Sequence, residues 1–499
     1  MFLWIASHLV NKLGRAAIVL PIAWVGIEFF RGSILWGGYP WYLISHPLID
    51  SPLGILAMPA SVGGTYFVSF LCAAYCSLLL CAISARSSKE RLLAGSKAGG
   101  LFTLWITVGY ILIPSTPTDG QTIRVAIIQP DIPQDSHLDW TVRQRLRDWY
   151  TLRDITQSAI DDPQNPGKID LIIWPEGFVP GWTLDPLSLE TERAAQLGWS
   201  MAPRNEEDVP DLPTTPSQIR ATQIVDDLLA YQGFIDIPML VGSVAFDNLQ
   251  IVDTEDGIEY QRDAMYNSAF ILADGRPQPV WYDKSHLTPF GEVMPYISKW
   301  EWLEQSLLAF GANGMEFVLD PAKELRTLTV PVNVDTGTTS FAIATPICFE
   351  ATTPSVCRKL VFDDGKRRAR VMVNITNDGW FGSSAAGRIS HLQNARWRCV
   401  ELNTPMVRSA NTGISAVINH RGRVLDRALV PLISESQTFN SNQGHIISNV
   451  TLAQGFTIYS KIGDIFGWAC FAWMCFWSLR LIFLRSFSVQ PVDTHAEKE

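Results

Sequence analysis

The sequence predicts an α/β sandwich domain inserted between membrane-spanning helices. Between residues 123 and about 450, short apolar runs rich in β-branched residues alternate with polar helical stretches, a pattern typical of mixed α/β layers. Outside this section, apolar residues concentrate before about residue 115 and after about residue 458. The composition agrees, because 47% of the residues are hydrophobic, only 18% are charged, and the mean hydropathy is +0.11. We therefore expect one large domain plus membrane spans.

Apolar stretches that could form membrane helices cover about residues 16–30, 62–84, 99–114 and 460–484. A helix needs roughly 20 apolar residues to cross the hydrocarbon core, which the second and fourth stretches reach easily. The alternative, a buried helix pair in a soluble core, fits poorly with their length and lack of charge. We expect a membrane region of about three helices at residues 1–117, a C-terminal membrane helix at 459–487 and a cytoplasmic tail at 488–499.

Lysine and arginine placement predicts the orientation of these helices. The segment between the second and third stretches carries one acidic residue, Glu90, against four basic ones, Arg86, Lys89, Arg91 and Lys97. We predict that this segment is a cytoplasmic loop. The basic residues that precede the first stretch and close the last one fit the same side: Lys12, Arg15, Arg480 and Arg485. The domain at residues 118–458 should then lie outside the cytoplasm.

Two segments of the membrane region allow more than one interpretation. Residues 1–10 are apolar but too short to span, so they look like the tail of an earlier helix in a shortened membrane region. A signal peptide is the alternative, although no small-residue cleavage site precedes a soluble domain. Residues 31–41 are rich in Gly, Trp and Tyr, which indicates either an aromatic belt at the headgroups or a loop that handles lipid beside the active site.

The central domain contains seven strand-like runs and at least two helical stretches. The strands are predicted at residues 123–129, 171–174, 239–244, 267–273, 341–348, 371–376 and 415–419, and the helices at 141–161 and 389–402. Residues 200–217 are rich in Pro and acidic side chains, which is typical of a surface insertion.

Composition excludes several classes of function. A net charge of −10 and the lack of a basic stripe argue against a nucleic-acid partner. The eight histidines show no paired ligand spacing, so we expect neither a metal nor another cofactor. Five of the eight cysteines lie in apolar membrane stretches, so a disulfide framework is not expected.

Three residues that follow strand-like runs supply a nucleophile, a base and a cation. Cys348 closes the run 341–348, so its sulfur could emerge at the edge of a sheet, although a buried inert thiol is the usual fate of a cysteine. Glu176 follows a very apolar strand, where desolvation raises a carboxyl pKa and suits a general base; a loop carboxylate capping a helix is the alternative. Lys284 could stabilise an oxyanion, or be an ordinary exposed lysine.

The surrounding motifs favour the catalytic interpretation of all three residues together. They are KSHLTPFGE at residues 284–292, NITNDGWFG at 374–382, QPDIPQ at 129–134 and HLQNAR at 391–396. With flanking membrane helices, this combination resembles the bacterial apolipoprotein N-acyltransferases, membrane members of the nitrilase (carbon–nitrogen hydrolase) superfamily. The resemblance covers nearly the whole chain.

The resemblance implies a nitrilase-like α-β-β-α sandwich on the outer face of the bacterial inner membrane. A phospholipid would donate an acyl chain to Cys348, and the α-amino group of a diacylglyceryl-cysteine at a lipoprotein N-terminus would then accept it. Glu176 would act as the base and Lys284 would stabilise the oxyanion. Such half-reactions predict ping-pong kinetics.

By the same resemblance, Glu292 and Glu350 match positions that support the lysine or neighbouring loops, and Trp140 matches a mobile aromatic residue over the lipid site. Each could instead be structural. The sequence departs from the family in two respects: Phe349 stands where the family commonly has Tyr, and the family has roughly twice as many N-terminal membrane helices.

Two other functions remain possible on the sequence. A membrane-tethered nitrilase-type amidohydrolase acting on a small amide or nitrile would share the three catalytic residues. Several membrane helices, rather than a single anchor, and the aromatic segment at residues 31–41 favour a lipid substrate. A catalytically inactive scaffold for lipoprotein sorting is disfavoured by the presence of all three catalytic residue types.

Overall fold

The structure, a computed structural model, describes most of the chain, and every structural statement below concerns those residues. They are residues 16–114, 121–132, 141–177, 179, 183–200, 218–254, 257–296, 319–334, 337–382, 384–427 and 443–486. The chain divides into two compact units, residues 1–113 together with 462–499, and residues 114–461. Of the insertion predicted at residues 200–217, all but Ser200 lies outside the described residues, as do the predicted tail and Trp140.

Helices of the described part are α1 (Ala16–Phe29), α2 (Ala60–Ser84), α3 (Ser88–Ile111), α4 (Val142–Ile160), α5 (Pro186–Ala195), α6 (Gln223–Ile235), α7 (Pro354–Val361), α8 (Ala385–Leu402), α9 (Ile458–Ile462) and α10 (Ile465–Ser486). Three helical segments, Ala16–Gly37, α2 and α3, are long and apolar enough to cross a membrane. The unit that contains α1, α2, α3 and α10 has an apolar core between α1, α2 and α10, formed by Val25, Phe29, Tyr66 and Cys470.

The loop predicted between the second and third apolar stretches is wrong in extent. Helix α2 ends at Ser84 and α3 begins at Ser88, so the connection is only residues 85–87. The Ser87 hydroxyl accepts from the Glu90 N–H at 3.2 Å, and the Glu90 carboxylate accepts from the Ser87 N–H at 3.4 Å. This reciprocal cap starts the helix among the basic residues, which apolar content alone does not indicate.

The strands of the central unit are β1 (Thr122–Gln129), β2 (Leu171–Ile173), β3 (Gly198–Ser200), β4 (Gln218–Arg220), β5 (Met239–Asp247), β6 (Gln250–Thr254), β7 (Gly257–Gln261), β8 (Ala264–Ala273), β9 (Arg276–Pro277), β10 (Tyr282–Asp283), β11 (Leu328–Val334), β12 (Gly337–Ala344), β13 (Phe362–Asp363), β14 (Lys366–Arg367), β15 (Val371–Thr376), β16 (Met406–Ala410), β17 (Ala416–Ile418), β18 (Val424–Arg427) and β19 (Gly444–Thr451). All seven predicted strands and both predicted helices are present; the strand at residues 371–376 has the predicted ends, and the others have shifted ends.

Two large mixed sheets form the framework of the central unit. The first has the order β10-β8-β5-β2-β1-β19, with β9 on β8, and the second has the order β11-β12-β15-β16-β17-β18. At the centre of each sheet the strands are parallel: β1, β2 and β5 in the first, β12, β15 and β16 in the second. Because parallel strands end at the same edge, the segments that follow them are brought together there.

Alternation along β1 shows how the two sheets are layered. Val125 and Ile127 belong to an apolar core that they share with residues of the second sheet and of α7 and α8. Ala126 and Ile128 point to the opposite face and pack in a second core with α4 and α6. Every side chain of these central positions is fully buried, as expected for strands covered on both faces. The layers are helix, sheet, sheet, helix, which confirms the predicted α/β sandwich.

Candidate active site

Cys348 lies four residues beyond the end of β12, and not at the end of the strand as the sequence suggested. It is the first residue of a 3-10 turn, Cys348–Thr352, and its φ is +48°. A non-glycine residue in this left-handed region costs of the order of 1–3 kcal/mol, so the surrounding contacts must hold it. The side chain is buried, with 6% of its surface exposed. The turn, rather than the strand, presents the sulfur.

Glu176 follows β2 through Trp174 and Pro175. Its carboxylate accepts from the Asn267 amide at 2.7 Å and from the Asn377 backbone N–H at 2.9 Å, and it interacts with the Cys348 thiol. The residues on either side of Glu176 pass so close to β5 that a Cβ on Gly242 would lie 2.6 Å from the Gly177 nitrogen. A glycine at position 242 is therefore required for this approach.

Lys284, just after β10, is fully buried. Its Nζ lies 3.4 Å from Glu176 Oε1 and 2.7 Å from Glu292 Oε2. A buried ammonium is stable only where anionic or polar partners replace water, and here two carboxylates do so. Thus the structure brings Glu176, Lys284 and Cys348 into one cluster, and places Glu292 in direct contact with the lysine.

Glu292 is held by its own loop. The Thr288 N–H donates to Glu292 Oε2 at 2.7 Å, which fixes the carboxylate beneath Lys284. Glu350 does not touch the lysine amine but holds the segment that carries it. Its carboxylate accepts from the N–H groups of Ser285, His286 and Ile347 at 2.8, 3.0 and 2.9 Å. Glu350 thereby connects the lysine segment to the turn of Cys348.

The Phe349 ring packs beside the cluster, and it contributes no hydroxyl of the kind that a tyrosine at this position would have. Its ring stacks on His286 with 5.8 Å between centroids and an interplanar angle of 16°. Only 4% of its surface is exposed. The role predicted for Trp140 cannot be placed, because that residue lies outside the described residues.

Two carboxylates share one lysine, and their environments separate their proton affinities. Burial raises the pKa of Glu176, and the charge of Glu292 adds to this while Lys284 opposes it. Burial also acts on Glu292, but the charge and hydrogen bond of Lys284 outweigh it and lower the pKa of Glu292. Burial disfavours the Lys284 cation, yet both carboxylates raise its pKa. Glu292 is therefore the permanent counter-ion, and Glu176 is the group able to take a proton.

Cys348 rests as a thiol. Burial raises the pKa of Cys348 well above its ordinary value, and the Glu176 charge acts in the same direction, while Lys284 opposes both. A nucleophilic attack by this sulfur requires a base that removes the proton during the reaction. Glu176 interacts electrostatically with the thiol and is suited to do so.

Asn267 and Asn377 are site residues that sequence reasoning missed. Asn267 lies on β8 and its amide also approaches Glu292 at 3.4 Å. The only signal for Asn377 was its place in the motif after β15, and Asn267 gave no signal beyond its polarity within an apolar strand. Among the residues that the structure describes, no group of three or more His, Cys, Asp or Glu side chains could hold a metal ion.

The raised pKa of the Cys348 thiol predicts an unusual pH profile for its alkylation. Because the thiolate reacts and each unit of pKa elevation lowers the thiolate fraction about tenfold, the rate of iodoacetamide modification should still rise above pH ~8.5, where a free cysteine begins to level off. The measurement is quantitative mass spectrometry of the Cys348 peptide between pH 6 and 10, with N-acetylcysteine as reference. If the alkylation rate of Cys348 levelled off at the same pH as that of N-acetylcysteine, or at a lower pH, the assignment of a raised thiol pKa would be wrong.

Comparison with known proteins identifies the family of the chain. Residues 1–78 match the apolipoprotein N-acyltransferase N-terminal domain, and residues 124–429 match the carbon–nitrogen hydrolase family. An apolipoprotein N-acyltransferase from Geobacter metallireducens is 28% identical over 475 residues, which cover 94% of this chain and 75% of the relative. The apolipoprotein N-acyltransferase from Vibrio vulnificus is 25% identical over 498 residues, covering 97% and 78%.

Solved structures give weaker matches. An amidase from Nesterenkonia sp. has a TM-score of 0.34 and 13% identity over 66% of this chain and 90% of its own, and the C. elegans NitFhit protein has a TM-score of 0.38 and 14% identity over 76% and 66%. The sequence match is the one that decides the family. It extends over more than half of the chain and contains Glu176, Lys284 and Cys348, so the chain belongs to the carbon–nitrogen hydrolase family.

Proposed function

We propose that this protein is a lipoprotein N-acyltransferase that moves an acyl chain from a phospholipid to the N-terminal diacylglyceryl-cysteine of an apolipoprotein, through a thioester on Cys348. The observation that carries the proposal is a combination within one chain. The buried cluster of Glu176, Lys284 and Cys348 occurs together with an N-terminal region that matches the apolipoprotein N-acyltransferase N-terminal domain. The names of the curated relatives, which align with most of the chain, support the same function.

In the first half-reaction, Glu176 takes the proton of the Cys348 thiol as the sulfur attacks the ester carbonyl of the phospholipid. The charge that develops on the carbonyl oxygen is stabilised by the Lys284 ammonium, which is fully buried and so acts at low local dielectric. When the tetrahedral intermediate collapses, the ester C–O bond breaks and Glu176 returns the proton to the leaving alkoxide. The products are the Cys348 thioester and a lysophospholipid.

In the second half-reaction, the α-amino group of the lipoprotein cysteine attacks the thioester. Glu176, ionised again, takes a proton from this amine, and Lys284 stabilises the second oxyanion. Collapse forms the amide bond and expels the Cys348 sulfur, which recovers the proton from Glu176. The enzyme returns to its starting state without a cofactor, and the two substrates react in alternation.

The second carboxylate, Glu292, explains how Glu176 can act as a base although it lies beside the Lys284 ammonium. If Glu176 were the only partner of Lys284, the ammonium would stabilise the ionised Glu176 carboxylate, and the pKa of Glu176 would fall. Glu292 Oε2 lies nearer to Nζ than Glu176 Oε1 does, 2.7 Å against 3.4 Å, and so neutralises most of that charge. Glu176 is then left with a raised pKa that suits proton transfer.

We predict that purified enzyme incubated with labelled phospholipid gains one acyl chain on Cys348, and that Cys348→Ser gains none at this position while keeping the same thermal unfolding midpoint. The reason is that the serine hydroxyl is a far weaker nucleophile than a thiol whose proton Glu176 removes. The measurement is mass spectrometry of the Cys348 peptide together with detection of lysophospholipid.

Cys399→Ser is the matched control for this experiment, because Cys399 is also buried in the domain but donates to the Ala395 carbonyl on α8. It should be acylated at the wild-type rate. If the wild-type protein formed no adduct on Cys348 and hydrolysed small amides instead, the amidohydrolase function would replace the transferase.

A second variant tests the environment of the base. Asn267→Asp keeps the size of the side chain but removes the N–H donor to Glu176 and adds a third carboxylate. Because a hydrogen bond to a charged group contributes about 1.5–3 kcal/mol, we expect Cys348 acylation to slow by at least about tenfold. The rate is measured by quenched-flow mass spectrometry, and Asn248→Asp in the exposed turn between β5 and β6 is the control. An unchanged rate in Asn267→Asp would show that the amide does not tune Glu176.

The proposed substrates require a membrane location. We propose that the protein lies in the bacterial inner membrane as a multi-pass protein with the domain at residues 118–458 on the outer face. Support comes from the apolar helices α1, α2 and α3, and from the basic residues at the start of α3. Helices before and after the domain in the chain would anchor the protein in the bilayer, where a phospholipid donor is abundant.

Cysteine labelling tests this orientation. In a Cys76→Ser background, which removes the exposed native thiol, Phe234→Cys in the domain should react with a membrane-impermeant maleimide in intact cells with permeabilised outer membranes. Ser88→Cys at the start of α3 should react only after cell lysis. The opposite pattern would reverse the orientation and rule out a periplasmic active site.

A further inference from the structure

The carbonyl group of Cys348 is contacted by side chains that take no part in the proposed acyl transfer. His391 Nε2 lies 3.2 Å from the Cys348 carbonyl oxygen, and Asn374 Nδ2 lies 3.5 Å from it. The Asn374 amide makes its shorter hydrogen bond to the Pro346 carbonyl, at 2.7 Å. His391 is thus the nearer of these two side chains to the carbonyl that follows the strained Cα of Cys348.

The other ring nitrogen of His391 faces an ion pair. Nδ1 lies 2.8 Å from Asp378 Oδ1 and 3.1 Å from Arg408 Nη2. Arg408 Nη2 in turn donates to both oxygens of Asp378, at 2.7 and 2.9 Å. All three side chains are buried, with at most 2% of their surface exposed. They come from three elements, the turn after β15, helix α8 and strand β16.

The chemistry of these contacts fixes the proton on Nε2. A carbonyl oxygen can only accept, so the contact with Cys348 requires an N–H at Nε2. When the ring is charged, Nδ1 also carries a proton and donates to Asp378. When the ring is neutral it has a single N–H. On Nε2 this proton keeps the bond to the Cys348 carbonyl while Nδ1 accepts from Arg408; on Nδ1 it would bond to Asp378 at 2.8 Å and leave Nε2 facing the carbonyl as a second acceptor. Support of the Cys348 carbonyl by His391 therefore requires the proton on Nε2.

The same network reaches the base. Asp378 is the neighbour of Asn377, whose backbone N–H donates to Glu176 at 2.9 Å. Asp378 is closely fitted, because a Cβ on Gly413 would overlap its carboxylate, and Gly413 also has a φ of +127°. The position of Asp378 therefore affects both the nucleophile, through His391, and the base, through Asn377.

We propose that His391 is a positioning residue for the nucleophile, and that Asp378 and Arg408 hold its ring so that Nε2–H supports the left-handed turn of Cys348. The network aligns the sulfur with Glu176 without touching a reacting atom. This inference rests on the proposed function only in that Cys348 is the nucleophile.

The test compares two substitutions of His391. His391→Gln keeps an amide N–H that can reach the Cys348 carbonyl, whereas His391→Leu fills similar space without a donor. We expect Cys348 acylation to slow at least about tenfold in His391→Leu, with an unchanged KM for phospholipid, and to recover most of the wild-type rate in His391→Gln. His445→Leu and His445→Gln are matched controls. His445 lies on strand β19, outside the site, and its Nε2 is 3.3 Å from Asp162 Oδ2.

Three readouts separate positioning from folding: the acylation rate and KM, the pH profile of Cys348 alkylation, and the thermal unfolding midpoint. A wild-type acylation rate in His391→Leu would overturn the proposal. Equal losses of rate in both variants, accompanied by equally lowered midpoints, would also overturn it, because they indicate a structural role only. If the wild-type enzyme forms no acyl adduct, the transferase function fails, but a shifted alkylation profile restored in His391→Gln alone would still support the positioning role.

Discussion

The ammonium of Lys284, buried between two carboxylates, is the interaction on which the active site depends. Removing one partner of such a buried pair costs about 3–5 kcal/mol, because the other charge is left without water or a counter-ion. The loops around it are therefore fixed at several points. Thr288 holds Glu292, Asn267 and Asn377 hold Glu176, and Glu350 binds the lysine segment to the nucleophile turn.

The burial of Cys348 favours acyl transfer over hydrolysis in the proposed reaction. Cys348 has 6% of its surface exposed, so a thioester formed there is largely shielded from bulk water. An acceptor that brings its own amine into the site then competes well. In the proposed mechanism Glu292 occupies the lysine and leaves Glu176 able to take a proton first from the Cys348 thiol and then from the acceptor amine.

The layered α/β fold and the three catalytic residue types followed from local patterns in the sequence. Strand periodicity and apolar runs depend on burial of single elements, and the motifs are contiguous. Details that depend on contacts across the chain did not follow. Asn267 is 91 residues from Glu176, the left-handed turn of Cys348 is stabilised by His391 from another element, and the start of α3 depends on a local cap rather than on apolar content.

The active site is assembled across the two sheets: Glu176 and Lys284 follow strands of the first, and Cys348 follows a strand of the second. The apolar layer between the sheets, together with the hydrogen bonds that Asn377 and Glu350 make across it, keeps the sulfur and its base in alignment. A loosening of this layer by a fraction of an ångström would alter catalysis long before the domain unfolds. Substitutions deep in the interior, far from any substrate, would therefore appear first as slow enzymes and only at higher temperature as unstable ones.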